Sequence, residues 1–358
     1  MNAHTSFPAS IFVAPLRQRQ WADASPQVML CRRVIDETHN VKTFVFSAAS
    51  DRMFCFNAGQ YVLLRLSIDG LEVTRPYSVA SPPTRPLDLQ ITVKRTPGGL
   101  VSNWLHDNLR SGDEIRIEGP LGSFKLDGFA SAKLLFLAGG SGITPLMSMV
   151  RMLTDRAFDL DLRLIYSVRS PRDIIFRSEL DALAARFPNL GVTFLCSKGG
   201  PSGTGPSGRI DGSMLLRLVP DLAKRAVYTC GPEPYMTALR DGFDEVGVKP
   251  LAYYEESFGG YPSGVAPDDF AISSFVHFAK SGLEHRCAPG ETLLDAARKC
   301  GVYVPTACQQ GVCGTCRIAK LSGEVAMCDL GGLTSEEKSA GYILACCSRA
   351  QGTVSVDL

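Results

Sequence analysis

The sequence predicts a multidomain chain of α+β and α/β class. An antiparallel β-barrel comes first, then a parallel sheet with helices on its faces, then a small β-grasp module. Three observations carry this. Short alternating strands such as NAGQYVLLRL, LDLQITVKR and DEIRIEGPLGSF fill the first third, separated by turn residues. Apolar strands then alternate with helical patterns, beginning at KLLFLAGGSGITPLMSMV (133–150). Near the C-terminus, ACQQGVCGTC (307–316) crowds three cysteines into nine positions.

The totals exclude several classes. At 358 residues the chain is too long for one small domain. Its net charge of +1 announces no field for nucleic acid or a membrane surface. The N-terminal apolar patch SIFVAPL is too short for a secretory h-region. The charge-free run 134–150 is interrupted by Gly-Ser-Gly, so it reads as strand, loop and helix rather than a membrane span. A cytoplasmic, reducing compartment is expected. There, twelve cysteines mean metal or redox chemistry sooner than disulfides.

The cysteine spacing is Cys308-x4-Cys313-x2-Cys316, with Cys346 following after 29 intervening residues. This is the plant-type [2Fe–2S] arrangement, three ligands on one loop and a distant fourth. Soft thiolates suit iron. Gly311 and Gly314 let the loop turn tightly and aim N–H groups at sulfur. A zinc ribbon would need a second C-x2-C pair, and none is present. Cys346 is preferred to Cys347 because LAC closes an apolar strand at the expected count. Cys287, Cys300 and Cys328 are expected as small buried hydrophobes. AISSFVHFAK alternates like a strand, and ETLLDAARKCG is a helix stopped at Gly301. Residues 272–358 thus resemble a plant-type ferredoxin.

In the middle third, Gly139, Gly140 and Gly142 would let backbone approach a phosphate at a helix N-terminus. The pattern is G-x-G-x-x-P, with Pro145 where the dinucleotide fingerprint has its third glycine. DIIFRSELDALAARF and GSMLLRLVP read as helices, and VTFLCS and AVYTCG as strands. In a parallel sheet ligands bind at the strands' carboxyl ends, here GGSGITP, YSVRS and TCGPEP. Cys230 is either an ordinary buried cysteine or, with Gly231 and Pro232, a strand end facing a ligand.

In the barrel, RPYS (75–78) places a guanidinium, a ring and a hydroxyl on one strand. PGGLVSNWLHD (97–107) is a glycine turn opening a helix, which suits a pyrophosphate. Taken singly, Arg75 is a surface charge, Tyr77 a core aromatic and Ser102 an N-cap. Together these stretches resemble the ferredoxin–NADP reductase family from about residue 27 to 258.

The resemblance implies an N-terminal extension (1–26), an FAD-binding barrel (27–128), an NAD(P)-binding domain (129–257), a linker (258–271) and the [2Fe–2S] domain (272–358). It implies that Arg75 meets flavin phosphate, that Pro76 belongs to the same flavin-binding strand, that Tyr77 stacks on the isoalloxazine, and that Ser78 hydrogen-bonds its N5. Thr92, Val93 and Lys94 would line the flavin, and Gly99, Leu100, Val101 and Ser102 would cradle the phosphates. Gly140, Gly142 and Thr144 would bind the nicotinamide nucleotide, with Cys230, Gly231 and Pro232 beside its ring. Ser78, Thr144 and Cys230 would surround the reacting atoms, and Glu256 or Phe258 would cover the far flavin face.

Phthalate-dioxygenase-type reductases use FMN and carry a different turn where this chain has GPLGSF, so FAD is expected over FMN. After YSV, Arg169 and Arg172 would favour a 2′-phosphate and Asp173 would oppose it; NADH is expected, with NADPH open. The module order resembles reductase components of bacterial multicomponent oxygenases, and also the NADH reductase of the hybrid-cluster protein. It implies a terminal oxygenase or another one-electron acceptor protein as partner. A redox sensor is the reading from another class, and no DNA-binding element is left over to support it.

Overall fold

A computed structural model describes residues 20–21, 26–48, 52–126, 132–198, 208–258, 274–329 and 331–358. The expected N-terminal extension and the Gly- and Pro-rich linker lie almost wholly outside the described residues.

The first sheet has six antiparallel strands, in the order Leu71–Ser78, Tyr61–Ile68, Glu114–Leu121, Gln27–Thr38, Val41–Ala48, Leu89–Lys94. A bridge between Val79 and Ile91 joins its two ends and closes the barrel. The apolar face packs Phe44, Phe46, Val62, Leu64, Ile91 and Ile117 into one core. The register sets Tyr61 opposite Ser78 and Val62 opposite Tyr77.

The second sheet has five parallel strands, in the order Leu190–Cys196, Asp161–Val168, Lys133–Gly139, Ala226–Gly231, Ala252–Ser257. Chain order reverses between Lys133–Gly139 and Ala226–Gly231, so a crevice opens at their carboxyl ends. Gly142 is required there by space: a Cβ would lie 2.2 Å from the Cys230 carbonyl oxygen. The run 134–150 is strand, 3-10 turn and helix, as its glycines predict. Among the described residues no helix is long and apolar enough to cross a membrane.

One predicted helix is shorter than its pattern. DIIFRSELDALAARF begins as a 3-10 turn (Pro171–Asp173), and the α-helix starts only at Arg177. Ile174, Ile175 and Phe176 are drawn into the core instead, with Phe176 at φ 58°. Burying three large apolar side chains outweighs the helical preference of one turn.

The third sheet runs Leu283–Cys287, Ser274–Phe278, Ser348–Val356, Arg317–Met327, Tyr342–Leu344. Ser274–Phe278 and Ser348–Val356 pair in parallel and the other pairs are antiparallel, the β-grasp arrangement. Helix Leu293–Lys299, capped by Thr292, packs its apolar side into the core of this sheet.

Helix Ile143–Asp155 ties the second module to the barrel. Ser148 donates to the Ser81 carbonyl at 2.6 Å. The buried Arg151 guanidinium donates to the Ala80 carbonyl at 2.8 Å and to Gln90 Oε1 at 3.2 Å. Its other edge pairs with both oxygens of Glu179, and Phe176 lies 4.8 Å beneath it. Replacing Arg151 by Ala leaves the Ala80 carbonyl and Glu179 without these donors. The expected loss is roughly 2 kcal/mol, read as a lower thermal midpoint of the holoprotein; an unchanged midpoint would show that this clamp is not what joins the modules.

Candidate functional site

Where the three modules meet there is one cavity of ≈ 790 Å³. The barrel contributes Arg75, Pro76, Tyr77 and Ser78 from one strand, Thr92, Val93 and Lys94 from another, and Gly99, Leu100, Val101 and Ser102 from the helix start. The nucleotide module contributes Ser141, Thr144, Glu256, Ser257 and Phe258. The ferredoxin module contributes Gln309, Gln310, Val312, Cys328 and Cys347.

Local sequence explains the cavity end formed by Arg75 and the Gly98–Gly99 turn. Gly98 takes φ +70°, and Gly99 caps helix Leu100–Asn108 with no side chain on its free N–H groups. No acid stands in the first turn to compete with an anion. Ser102 is not the N-cap: it lies inside the helix, and its Oγ accepts from the Thr96 N–H at 3.2 Å. Arg75 spends one N–H on the Thr74 carbonyl and has no carboxylate partner among the described residues. A free cation, an uncapped helix start and the half-buried Tyr77 ring suit a ligand with phosphates at one end and an aromatic plane at the other.

At the other end, Ser78 donates to Glu256 Oε2 at 3.5 Å. Burial pushes the Glu256 carboxyl up to about 8, against the smaller lowering effect of the Ser78 hydrogen bond. The sequence offered two neighbouring acids, and register separates them. Glu255 pairs with Arg240 and Tyr253 outside the cavity, while Glu256 faces in. Thr144 turns its hydroxyl onto the Ser141 carbonyl at 3.0 Å at the start of its helix.

Five of the residues anticipated for the flavin and the nucleotide lie outside this cavity: Gly140, Gly142, Cys230, Gly231 and Pro232. Cys230 is fully buried, one strand deeper, directly across the ladder from Glu256. Burial first, then the Glu256 charge, pushes its thiol pKa well up. Gly139 and Gly231 are packed by the Tyr235 ring, which a Cβ would meet at 2.7 and 2.6 Å. Asp173, read as the acid against a 2′-phosphate, accepts from the Ser170 N–H and hydroxyl. Arg169 and Arg172 are exposed. Tyr61 carries no motif that marks it as a site residue, and Gln309 and Gln310, although within the cysteine loop, are brought to the cavity only by the meeting of modules.

The four cysteines of the sequence motif come as two pairs. Cys308 lies in contact with Cys313, and Cys316 with Cys346. Among the described residues no three metal-binding side chains converge on a single ion position. Two pairs of soft donors suit a two-iron centre better than one tetrahedral ion. The Gln310 N–H points at Cys308 Sγ (3.4 Å), and the Cys346 N–H at Cys316 Sγ (3.5 Å). Cys347 lies against the Cys346 thiol and donates to the Leu344 carbonyl at 3.7 Å. Gly311 and Gly314 both have φ 72°, and a Cβ there would strike the Cys328 and Gly332 carbonyls at 2.5 and 2.6 Å.

Comparison with known proteins fits this geometry. Residues 31–126 match the oxidoreductase FAD-binding domain family, 136–241 the oxidoreductase NAD-binding domain family, and 276–351 the 2Fe-2S iron-sulfur cluster binding domain family. The glycine betaine monooxygenase reductase subunit of Pseudomonas aeruginosa is 40% identical, over 98% of this chain and 100% of that one. The stachydrine N-demethylase reductase subunit of Rhizobium meliloti is 37% identical, over 94% and 97%. The solved structure of phthalate dioxygenase reductase aligns with a TM-score of 0.66 at 25% identity, covering 93% of this chain and 98% of that one. A chain so built takes electrons in pairs from NADH through FAD and delivers them singly from a [2Fe–2S] centre. The protein therefore belongs to the family of FAD-, NAD- and [2Fe–2S]-binding oxidoreductases that serve as reductase components of oxygenases.

Proposed function

We propose that the three-module cavity holds the flavin, that the paired thiols of Cys308, Cys313, Cys316 and Cys346 hold the cluster, and that the acceptor is a terminal oxygenase. The observation that carries this is the cavity itself, lined at once by the RPYS strand, the start of the nucleotide helix and the cluster loop. Arg75 and the N–H groups after Gly99 bind the FAD phosphates. Tyr77 presents its ring to the isoalloxazine, and Ser78 orients it. Thr144 and Ser141 border the side from which the nicotinamide enters. Cys230 acts from behind Glu256 by packing rather than by contact. The acceptor follows from two relatives, matched nearly end to end, that are reductase subunits of a monooxygenase and an N-demethylase.

Glu256 is the group here that can hold or release a proton near neutral pH. Below about 8 its carboxyl is protonated; above that it is an anion inside the cavity. An anion opposes the arrival of hydride charge beside it. The NADH-driven rate should therefore fall as pH rises through about 8, and Glu256→Gln should flatten that limb. A limb unchanged in the variant assigns the titration elsewhere.

Anaerobic titration of the holoprotein with NADH, and in parallel with NADPH, tests the electron order by absorbance and EPR. Flavin bleaching followed by a reduced [2Fe–2S] signal is expected; flavin reduction with no cluster signal in iron-replete protein refutes the thiol assignment. The double variant Cys316→Ser, Cys346→Ser should lose that signal and all turnover of a reconstituted oxygenase. Surviving oxygenase turnover would show that electrons bypass the cluster.

A further inference from the structure

We infer that Tyr61 is a positioning residue that holds the cluster loop at its electron-receiving distance from the flavin cavity. This rests on the reading of the cavity and the thiols proposed above. The step it serves moves one electron from the NADH-reduced flavin to the oxidised cluster, with no bond made or broken at Tyr61.

Tyr61 opens its strand directly opposite Ser78, so its backbone belongs to the flavin side of the barrel. Its side chain belongs to the other module. The hydroxyl donates to the Val312 carbonyl at 3.2 Å. That carbonyl shares its peptide group with the nitrogen of Cys313, one of the four cluster thiols. The hydrogen bond thus ends on the backbone of a ligand. The residue is only 4% exposed. It lies where a Cβ on Gly122 would come within 2.8 Å of it, and Gly122 has φ +105°, so that turn leaves the space free.

Around this contact, Leu63 and Leu121 of the barrel meet Ala307 and Val312 of the loop. An apolar seam of this kind is non-directional and tolerates sliding. A buried hydrogen bond has a preferred length and angle, and losing its donor leaves the carbonyl unsatisfied. Electron transfer slows steeply with separation, so a small slide matters more to that step than to stability. The sequence context of Tyr61 is an ordinary strand, and nothing there marks it.

The test uses holoprotein with both cofactors verified, comparing wild type with Tyr61→Phe, which keeps the ring. Rapid mixing with NADH under anaerobic conditions gives flavin reduction by absorbance and cluster reduction by freeze-quench EPR. The readout is the ratio of the second rate to the first. We expect it to fall severalfold, because sliding of the loop lengthens the transfer distance, with the cluster midpoint potential unchanged. A ratio equal to wild type, or a loss accounted for by a shifted potential alone, overturns the inference. A purely structural role would lower the thermal midpoint and leave the ratio intact, which also overturns it. Leu121→Ala loosens the seam but keeps the Tyr61–Val312 hydrogen bond and should retain the wild-type ratio; a ratio lowered there as well would place the positioning on the seam and overturn the inference. Failure of NADH to reduce the flavin of the wild type would count against the proposed function instead.

Discussion

The antiparallel pairing of Tyr61 with Ser78 governs where the three modules can meet. Side chains on one rung of a ladder share a neighbourhood. Here one member of the rung reaches toward Glu256 in the nucleotide module and the other toward Val312 in the ferredoxin module. A register slip of one residue in either strand would turn that strand's side chain to the other face of the barrel and break up the pair. The apolar alternation of Tyr61–Ile68 against the barrel core resists that slip.

The second condition is that the nucleotide helix stays seated on the barrel. Arg151 does this with directional bonds to two barrel residues while Glu179 balances its charge. A buried guanidinium is tolerable only with such complete pairing. With the helix seated, Thr144 and Ser141 border the cavity, and Glu256, on the edge strand of the same sheet, faces Ser78. The raised carboxyl at Glu256 is a consequence of that enclosure rather than of a charged neighbour.

The cysteines divide by surroundings more than by spacing. Cys308, Cys313, Cys316 and Cys346 pair off on the loop and the nearby strand end. Cys347, one residue further on, turns to a carbonyl and lines the cavity with Cys328. Cys230 fills the core behind Glu256. Cys287 also fills a core, as expected, whereas Cys300 and Cys328 are only partly buried.

The sequence by itself determined the three-module order, the element types and the chemistry of the cluster loop. Those signals are local: periodicity, glycine at positive φ, and thiol spacing all act over a few residues. The RPYS strand and the PGGLVS turn were legible for the same reason. Tertiary structure alone decided the rest. It chose Glu256 over Glu255, moved Cys230 behind the cavity, shortened the helix at Phe176 and committed Asp173 to Ser170. It also brought Tyr61 to Val312 across 251 residues of chain. A contact at that separation follows from how two cores pack and which backbone groups remain to be satisfied, and neither property is written in the residues that flank it.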